Sequence, residues 1–487
     1  MTVARRPRRC ERNVVVIGAG SAGLVAAYLA AALRARVTLV EADRMGGECL
    51  NTGCVPSKAL IHCARLAAAA REAAALSGAP PPPPPDFAAV MARVQAAVAT
   101  VAPHDSAERY AALGVDARHG RARIVAPWCV EVDGVPLTTR AIVIAAGAEP
   151  IVPDLPGLAA VGYFTSETIW QLRSLPPRLV VLGGGPVGCE LAQAFAHLGS
   201  RVTLVQRAAR LLMREDAEVA AVIAARLAAD GVVVRAAQAP LAVTPDGAGG
   251  VLHFPPGNGD AVAFDALLVA AGRRPRTAGY GLEELGIGTT GRQGVATDAF
   301  LRTVHPGIFA CGDVLGRDPF THAAAHQAQA AVLGALFAPF WRARYDERVM
   351  PAVTFTAPEV ARVGLNQQAA RLAGVAHEVT DVAMADLDRA IVDGATAGFV
   401  RVLTAPGRDR ILGATVVGTA AGEMIAEFAL AMRHRIGLRR LLASVHAYPT
   451  YAEANRLAAG AWRRSHAAPA VLRLLGRLHA WRRGGGT

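Results

Sequence analysis

The chain almost lacks lysine. Of its 51 basic residues only Lys58 is a lysine, and the other 50 are arginines. An ammonium is compact and titratable where a guanidinium is planar and permanently charged, so the two are not equivalent beside a reactive group. Charge is also scarce, at 18% of 487 residues, whereas 53% of the chain is hydrophobic. That is apolar material for about three domains. No uninterrupted apolar run is long enough to span a bilayer. Arg5, Arg6, Arg8, Arg9 and Arg12 precede an apolar stretch, but Gly18, Gly20 and Gly23 interrupt it and Glu41 ends it, unlike a signal peptide. The formal charge is +12, yet zinc-finger spacing and basic–aromatic interleaving are both missing, which excludes a nucleic-acid binder. The seven cysteines are mostly isolated, which excludes a disulfide-framework secreted protein. A cytoplasmic protein is expected, in which a close cysteine pair is catalytic or metal-binding rather than structural.

Such a pair exists. Cys49 and Cys54 lie five positions apart, and Lys58 follows four residues later. Pro56 and Ser57 suit the opening turns of a helix. A cysteine at a helix N-terminus has a lowered pKa. A zinc site would need two further ligands, and no second paired Cys/His motif is present, so no metal site is assigned. Cys63, Cys129 and Cys189 read as inert filling.

The pair sits downstream of a strand–helix–strand unit. Residues 13–17 read as a buried strand, Gly18, Gly20 and Gly23 form G-x-G-x-x-G, and Glu41 ends the next strand. Glycines permit the tight turn, the helix N-terminus takes a pyrophosphate, and the acid accepts from a ribose. The pattern recurs about 165 residues later with Gly183, Gly185 and Gly188. Two such units imply two dinucleotides. In the second, Gln206 replaces the acid and Arg207 and Arg210 follow. A 2′-phosphate is repelled by an acid and held by arginines, so NADPH is favoured over NADH. Helices are expected at 57–76 and 87–113, separated by a proline run at 80–85. Strands are expected at 141–148 and 267–271, ending near Gly147 and Gly272, and before Gly312-Asp313. Beyond about residue 344 an α+β pattern begins.

Taken in order, these motifs resemble the flavoprotein disulfide reductases, the group of lipoamide dehydrogenase, glutathione reductase and mercuric reductase. The resemblance covers roughly residues 13–460 and is strongest to the mercuric reductase-like branch, partly through residues 353–360. It implies an α/β fold: an FAD domain (1–155 and 275–345), an NAD(P)H domain (156–274) and a C-terminal α+β dimerisation domain (346–460), followed by a basic tail (461–487). It implies FAD, held through Gly18, Gly20, Gly23, Glu41, Gly47, Gly147, Gly272, Arg273, Gly312 and Asp313. It implies a homodimer whose active site the partner's C-terminal domain completes. Cys54 would face the flavin as a charge-transfer thiolate, Cys49 would exchange with substrate, and Lys58 would pair with Glu190.

One departure concerns the acceptor. Disulfide-reducing members carry a histidine directly before Pro-Thr, oriented by a glutamate. Here Tyr448 occupies that position, His446 lies two residues earlier, and Glu453 remains. A phenol with a pKa near 10 is a poor base at neutral pH. No cysteine follows Cys311, so the C-terminal relay pair of mercuric reductases is missing. The expected activity is electron transfer from NADPH through Cys49–Cys54 to a thiol- or disulfide-like acceptor or to a soft metal or electrophile. Alternatives are a dihydrolipoamide dehydrogenase-like or quinone-reducing enzyme, or an electron-delivery subunit for a protein partner. In the tail, Val471, Leu474, Leu475, Leu478 and Trp481 fall at helical spacing among arginines. Packing on the protein's own body, or a frayed tail, is the favoured reading there, and an amphipathic helix for a membrane surface or partner the lesser one.

Overall fold

Val14, Val15, Val16 and Ile17 form a continuous apolar run, which suits a strand buried on both faces of a parallel sheet. A computed structural model describes residues 7–257, 259–291, 293–341 and 343–484. Arg5 and Arg6 of the N-terminal cluster, and residues 485–487 of the tail, lie outside the described residues. The strand Arg12–Ile17 lies between Val37–Glu41 and Val135–Ile144, all parallel, with Val14 opposite Val37 and Ala141. Asp116–His119 and Ile308–Ala310 add parallel neighbours on either side. The first half of Val135–Ile144 instead pairs antiparallel with Cys129–Val132, which pairs with Ala122–Ala126.

The second parallel sheet centres on Arg178–Leu182, flanked by Arg201–Gln206 and Ala266–Val269. Val233–Ala236 and Phe164–Thr165 form its edges. The sequence repeat is thus a structural repeat. A three-stranded antiparallel sheet over 242–264 was not anticipated.

Two helix boundaries differ from expectation. The helix expected from residue 57 begins at Cys54 and runs to Ser77, so Cys54 occupies its first turn. The helix expected over 87–113 is broken into Phe87–Val101, a 3₁₀ turn at Ala102–Asp105, and Ala107–Ala112. Pro103 lacks the N–H that a continuing helix needs. Ser106 caps the last piece, its hydroxyl accepting from Arg109 N at 3.2 Å.

The chain divides into two compact units. One comprises the described residues through Ala209 together with Leu227–Glu347; the other comprises Arg210–Arg226 and the chain from Arg348 onward. Residues 210–226, expected within the nucleotide domain, therefore group with the C-terminal unit. Their polar contacts explain this: Asp216 accepts from the Gln368 backbone at 2.9 Å and Arg362 pairs with Glu215 at 3.1 Å. The C-terminal unit holds a five-stranded antiparallel sheet in the order Ala352–Thr354, Glu359–Gly364, Ile411–Gly418, Phe399–Thr404, Glu378–Ala383. Glu359–Gly364 and Glu378–Ala383 were not expected from the sequence; the second is polar and is formed by pairing with Phe399–Thr404. Among the described residues, no helix is long and apolar enough to cross a membrane.

Candidate active site

Each glycine-rich turn is built for close backbone approach. A Cβ at Gly23 would lie 1.7 Å from the Gly18 carbonyl oxygen, and one at Gly188 1.8 Å from that of Gly183. Only glycine lets each helix pack on its own preceding turn. The acceptors beyond these turns act alike. Glu41 accepts from Ala19 N at 2.6 Å and Asp43 N at 2.8 Å; Gln206 accepts from Gly184 N at 3.3 Å. A carboxamide thus replaces a carboxylate in the second cradle. Gly20 has only the Gly47 Cα nearby, and Gly185 and Gly147 face open space, so the residues present fit dinucleotide binding at both turns.

The two arginines expected to read a 2′-phosphate differ in exposure and in hydrogen bonding. Arg207 is exposed beside Gln206. Arg210 belongs to the C-terminal unit, where it donates to the Leu212 and Met213 carbonyls and to Gln368. Arg210 thus already donates to three partners within its own unit. Arg273 is also heavily engaged, donating to Ala148 O at 2.8 Å and pairing with Glu48 at 2.5 Å and Glu167 at 3.5 Å. It ties the strand Ala148–Pro150 to the redox segment. Gly312 N donates to the buried Gln327 at 2.7 Å, while burial raises the pKa of the neighbouring Asp313.

The cysteine segment reaches the first cradle through glycine. A Cβ on Gly47 would sit 2.6 Å from the Gly20 Cα. Cys49 lies on the short helix Gly47–Asn51, and Cys54 opens the next helix. The turn between them is pinned from outside: Trp170 Nε1 donates at 2.8 Å to the Thr52 carbonyl and at 2.8 Å to that of Ser166. The Cys49 and Cys54 side chains lie within hydrogen-bonding reach of each other. That contact is the main cause lowering the Cys54 pKa to about 6. Burial opposes it, while the Thr321 hydroxyl (3.5 Å from Sγ) and the Lys58 ammonium assist. The same contact, with burial, drives the Cys49 thiol strongly upward. Lys58 Nζ lies 2.8 Å from Glu190 Oε2, so the expected pair forms, with Glu190 buried. Burial also raises Glu48 to about 7, against the pull of Arg273. Burial raises the thiols of Cys63 and Cys129, and pushes Cys189 and Cys311 to about 12.

The acceptor residues lie in the C-terminal unit. Tyr448 is 67% exposed, and its hydroxyl donates to Asp388 at 2.9 Å. Bonding to that carboxylate raises the phenol pKa further. Glu453, expected to orient this position, instead pairs with Arg456 at 2.7 Å. His446 is no substitute: its side chain is 8% exposed and bonds Glu427 at 2.8 Å, alongside Asn455. Tyr451 repeats the Tyr448 arrangement, donating to Asp393 at 2.7 Å. Sequence reading missed Thr321, Trp170 and Asp388 because each acts across 60 or more residues of chain. Glu48 was within the motif but carried no signal of its pairing.

Comparison with known proteins agrees with this geometry. Residues 12–330 match the pyridine nucleotide-disulphide oxidoreductase family, and residues 350–459 match that family's dimerisation domain. A mercuric reductase of Streptomyces lividans is 36% identical over 455 residues, covering 92% of this chain and 95% of that protein. A dihydrolipoyl dehydrogenase of Thermus scotoductus is 34% identical, covering 91% and 95%. The Cu(II) complex of the HOCl-induced flavoprotein disulfide reductase RclA from Escherichia coli superposes with a TM-score of 0.81 at 29% identity, covering 91% and 98%. The chain belongs to the pyridine nucleotide-disulphide oxidoreductases, FAD-dependent enzymes that use a pyridine nucleotide, and it is similar to their mercuric reductase-like members.

Proposed function

We propose that this enzyme uses NADPH to reduce a soft metal ion or electrophile through the Cys49–Cys54 pair. The observation that supports it most is the split between two adjacent thiols. The Cys54 thiol is shifted down, toward thiolate, while its neighbour Cys49 is shifted up, toward the protonated form. FAD, when bound, supplies the hydride acceptor that turns NADPH into a two-electron source. Two electrons and one proton convert the Cys49–Cys54 disulfide into the Cys54 thiolate and the Cys49 thiol. Cys49 then loses its proton as its sulfur engages the acceptor. The Cys54 thiolate attacks the Cys49 sulfur, the disulfide re-forms, and the electron pair leaves with the reduced acceptor.

Tyr448 supports a soft acceptor over an ordinary disulfide. Reducing a disulfide requires a proton for the leaving thiolate, and a phenol bonded to Asp388 holds its proton tightly. In the homodimer, Tyr448 of the partner subunit would line the acceptor side. NADPH oxidation by the holoenzyme with Hg(II), Cu(II), glutathione disulfide, lipoamide and a quinone tests the reading. Turnover with a soft ion should exceed that with either disulfide and vanish in Cys49→Ser. Quinone turnover that dominates and survives Cys49→Ser would refute it. Tyr448→His is expected to raise kcat/KM for a small disulfide about 10-fold, part of the 10²–10⁴ that a positioned acid–base group supplies. Tyr448→Phe should leave that rate unchanged.

The preference for NADPH rests on Gln206 and the exposed Arg207. Gln206→Glu with Arg207→Ala is expected to lower the NADPH/NADH ratio of kcat/KM by about 10²-fold, because the 2′-phosphate gives up a guanidinium partner and meets a carboxylate instead. An unchanged ratio in steady-state assays would remove these two residues from cofactor selection.

A further inference from the structure

The last helix, Pro469–Arg482, contains no buried residue. Val471, Leu474, Leu475, Leu478 and Trp481 are each 41–72% exposed. The packing on the protein's own body expected from the sequence is therefore not made. At helical periodicity these five side chains fall within an arc of roughly 120°. Arg473 lies on the far side of the helix and Arg477 beside the arc, Arg482 falls within the arc at the helix's C-terminal end, and the exposed Leu472 lies outside it. From residue 454 to 487 the chain carries no aspartate or glutamate.

A second copy of the chain is the less suitable occupant. The match to the family's dimerisation domain ends at residue 459, before this helix begins. An apolar face flanked by Arg477 and His479, with Arg482 at its end and no acidic residue on the helix, would also meet the same basic side chains on a second copy. An anionic lipid surface complements both halves: headgroups attract the arginines, and the acyl boundary takes the leucines. Trp481, at the end of the apolar arc, suits the bilayer interface. With 14 residues, the helix is about 21 Å long, too short to cross a hydrocarbon core of about 30 Å. We infer that Pro469–Arg482 is an in-plane anchor that docks this flavoenzyme on anionic membrane surfaces. The inference is independent of the acceptor.

The test is sedimentation of the FAD-loaded full chain with vesicles of equal parts phosphatidylglycerol and phosphatidylcholine, and with pure phosphatidylcholine vesicles. The enzyme should pellet with the anionic vesicles and bind the neutral ones at least about 10-fold less well. Arg473→Gln with Arg477→Gln should weaken binding about 25-fold, at roughly fivefold per arginine. Leu474→Glu with Leu478→Glu, and truncation after Ala468, should abolish it while solution turnover stays unchanged. Wild-type enzyme that stays in the supernatant, or a truncated chain that pellets equally, would overturn the inference. So would sedimentation velocity in which the leucine variants lose only self-association and the wild type ignores vesicles, because a second copy would then cover the face.

Discussion

Cys54→Ser is expected to lower acceptor turnover by at least about 10³-fold, the scale of deleting a nucleophile, while FAD remains bound. In anaerobic titration the wild type should take up two equivalents of NADPH per subunit, one for the flavin and one for the disulfide. The variant should take up one. Two equivalents in Cys54→Ser, or turnover close to wild type, would place the electron path elsewhere. The long-wavelength absorbance of a thiolate against oxidised flavin gives a second reading. Because Cys54 is an acid whose pKa is lowered, its thiolate should persist to a pH below the ordinary thiol range and disappear as pH falls through the lowered pKa. The causes rank in a definite order. Cys49→Ala should raise the midpoint most, Thr321→Val less, and Lys58→Met least, following hydrogen bond, hydrogen bond and longer-range charge. A different order would mean that the ammonium, not the neighbouring thiol, dominates.

Lys58→Met is expected to cost about 10²-fold in NADPH-dependent reduction of the enzyme, measured by stopped flow. A fixed positive charge in a partly desolvated site favours negative charge that develops beside it, and its loss carries penalties of this size. The substitution also leaves the buried Glu190 carboxylate without its ammonium. Breaking a fully buried pair costs about 3–5 kcal/mol. Lys58 is 36% exposed, so solvent screening reduces the expected loss to about 1–2 kcal/mol. Adding Glu190→Gln should recover that stability, read as the denaturant midpoint, without recovering the rate. Recovery of both would make the pair structural. Lys58→Arg provides the complementary control: it keeps the charge but presents a planar guanidinium, so it should rescue stability better than rate.

Much of this architecture was legible before any fold was known. Uninterrupted valine and isoleucine runs ending in glycine turns specify buried parallel strands, because nothing else buries both faces. Glu41 and Gln206 stand at equivalent positions in the two units, and the structure gives them equivalent hydrogen bonds. The isolated lysine pointed to the dithiol, and it does reach Glu190 across 132 residues. Partners were not legible in the same way. Arg210, adjacent in sequence to the second cradle, donates to Leu212, Met213 and Gln368. His446 looked available and is enclosed against Glu427.

The division between the two kinds of knowledge follows from range. Chemistry carried by short spacing was determined by the sequence itself: two phosphate cradles, a cysteine pair at a helix start, one ammonium a turn further on. Tuning was decided only by tertiary structure, because a pKa depends on burial and on groups brought close through space. Thr321 beside Cys54, Trp170 on the Thr52 carbonyl, and Asp388 on Tyr448 come from distant chain. They help to lower the Cys54 pKa, hold the turn between the pair, and raise the pKa of the Tyr448 phenol. No spacing rule within the motif could have supplied those contacts.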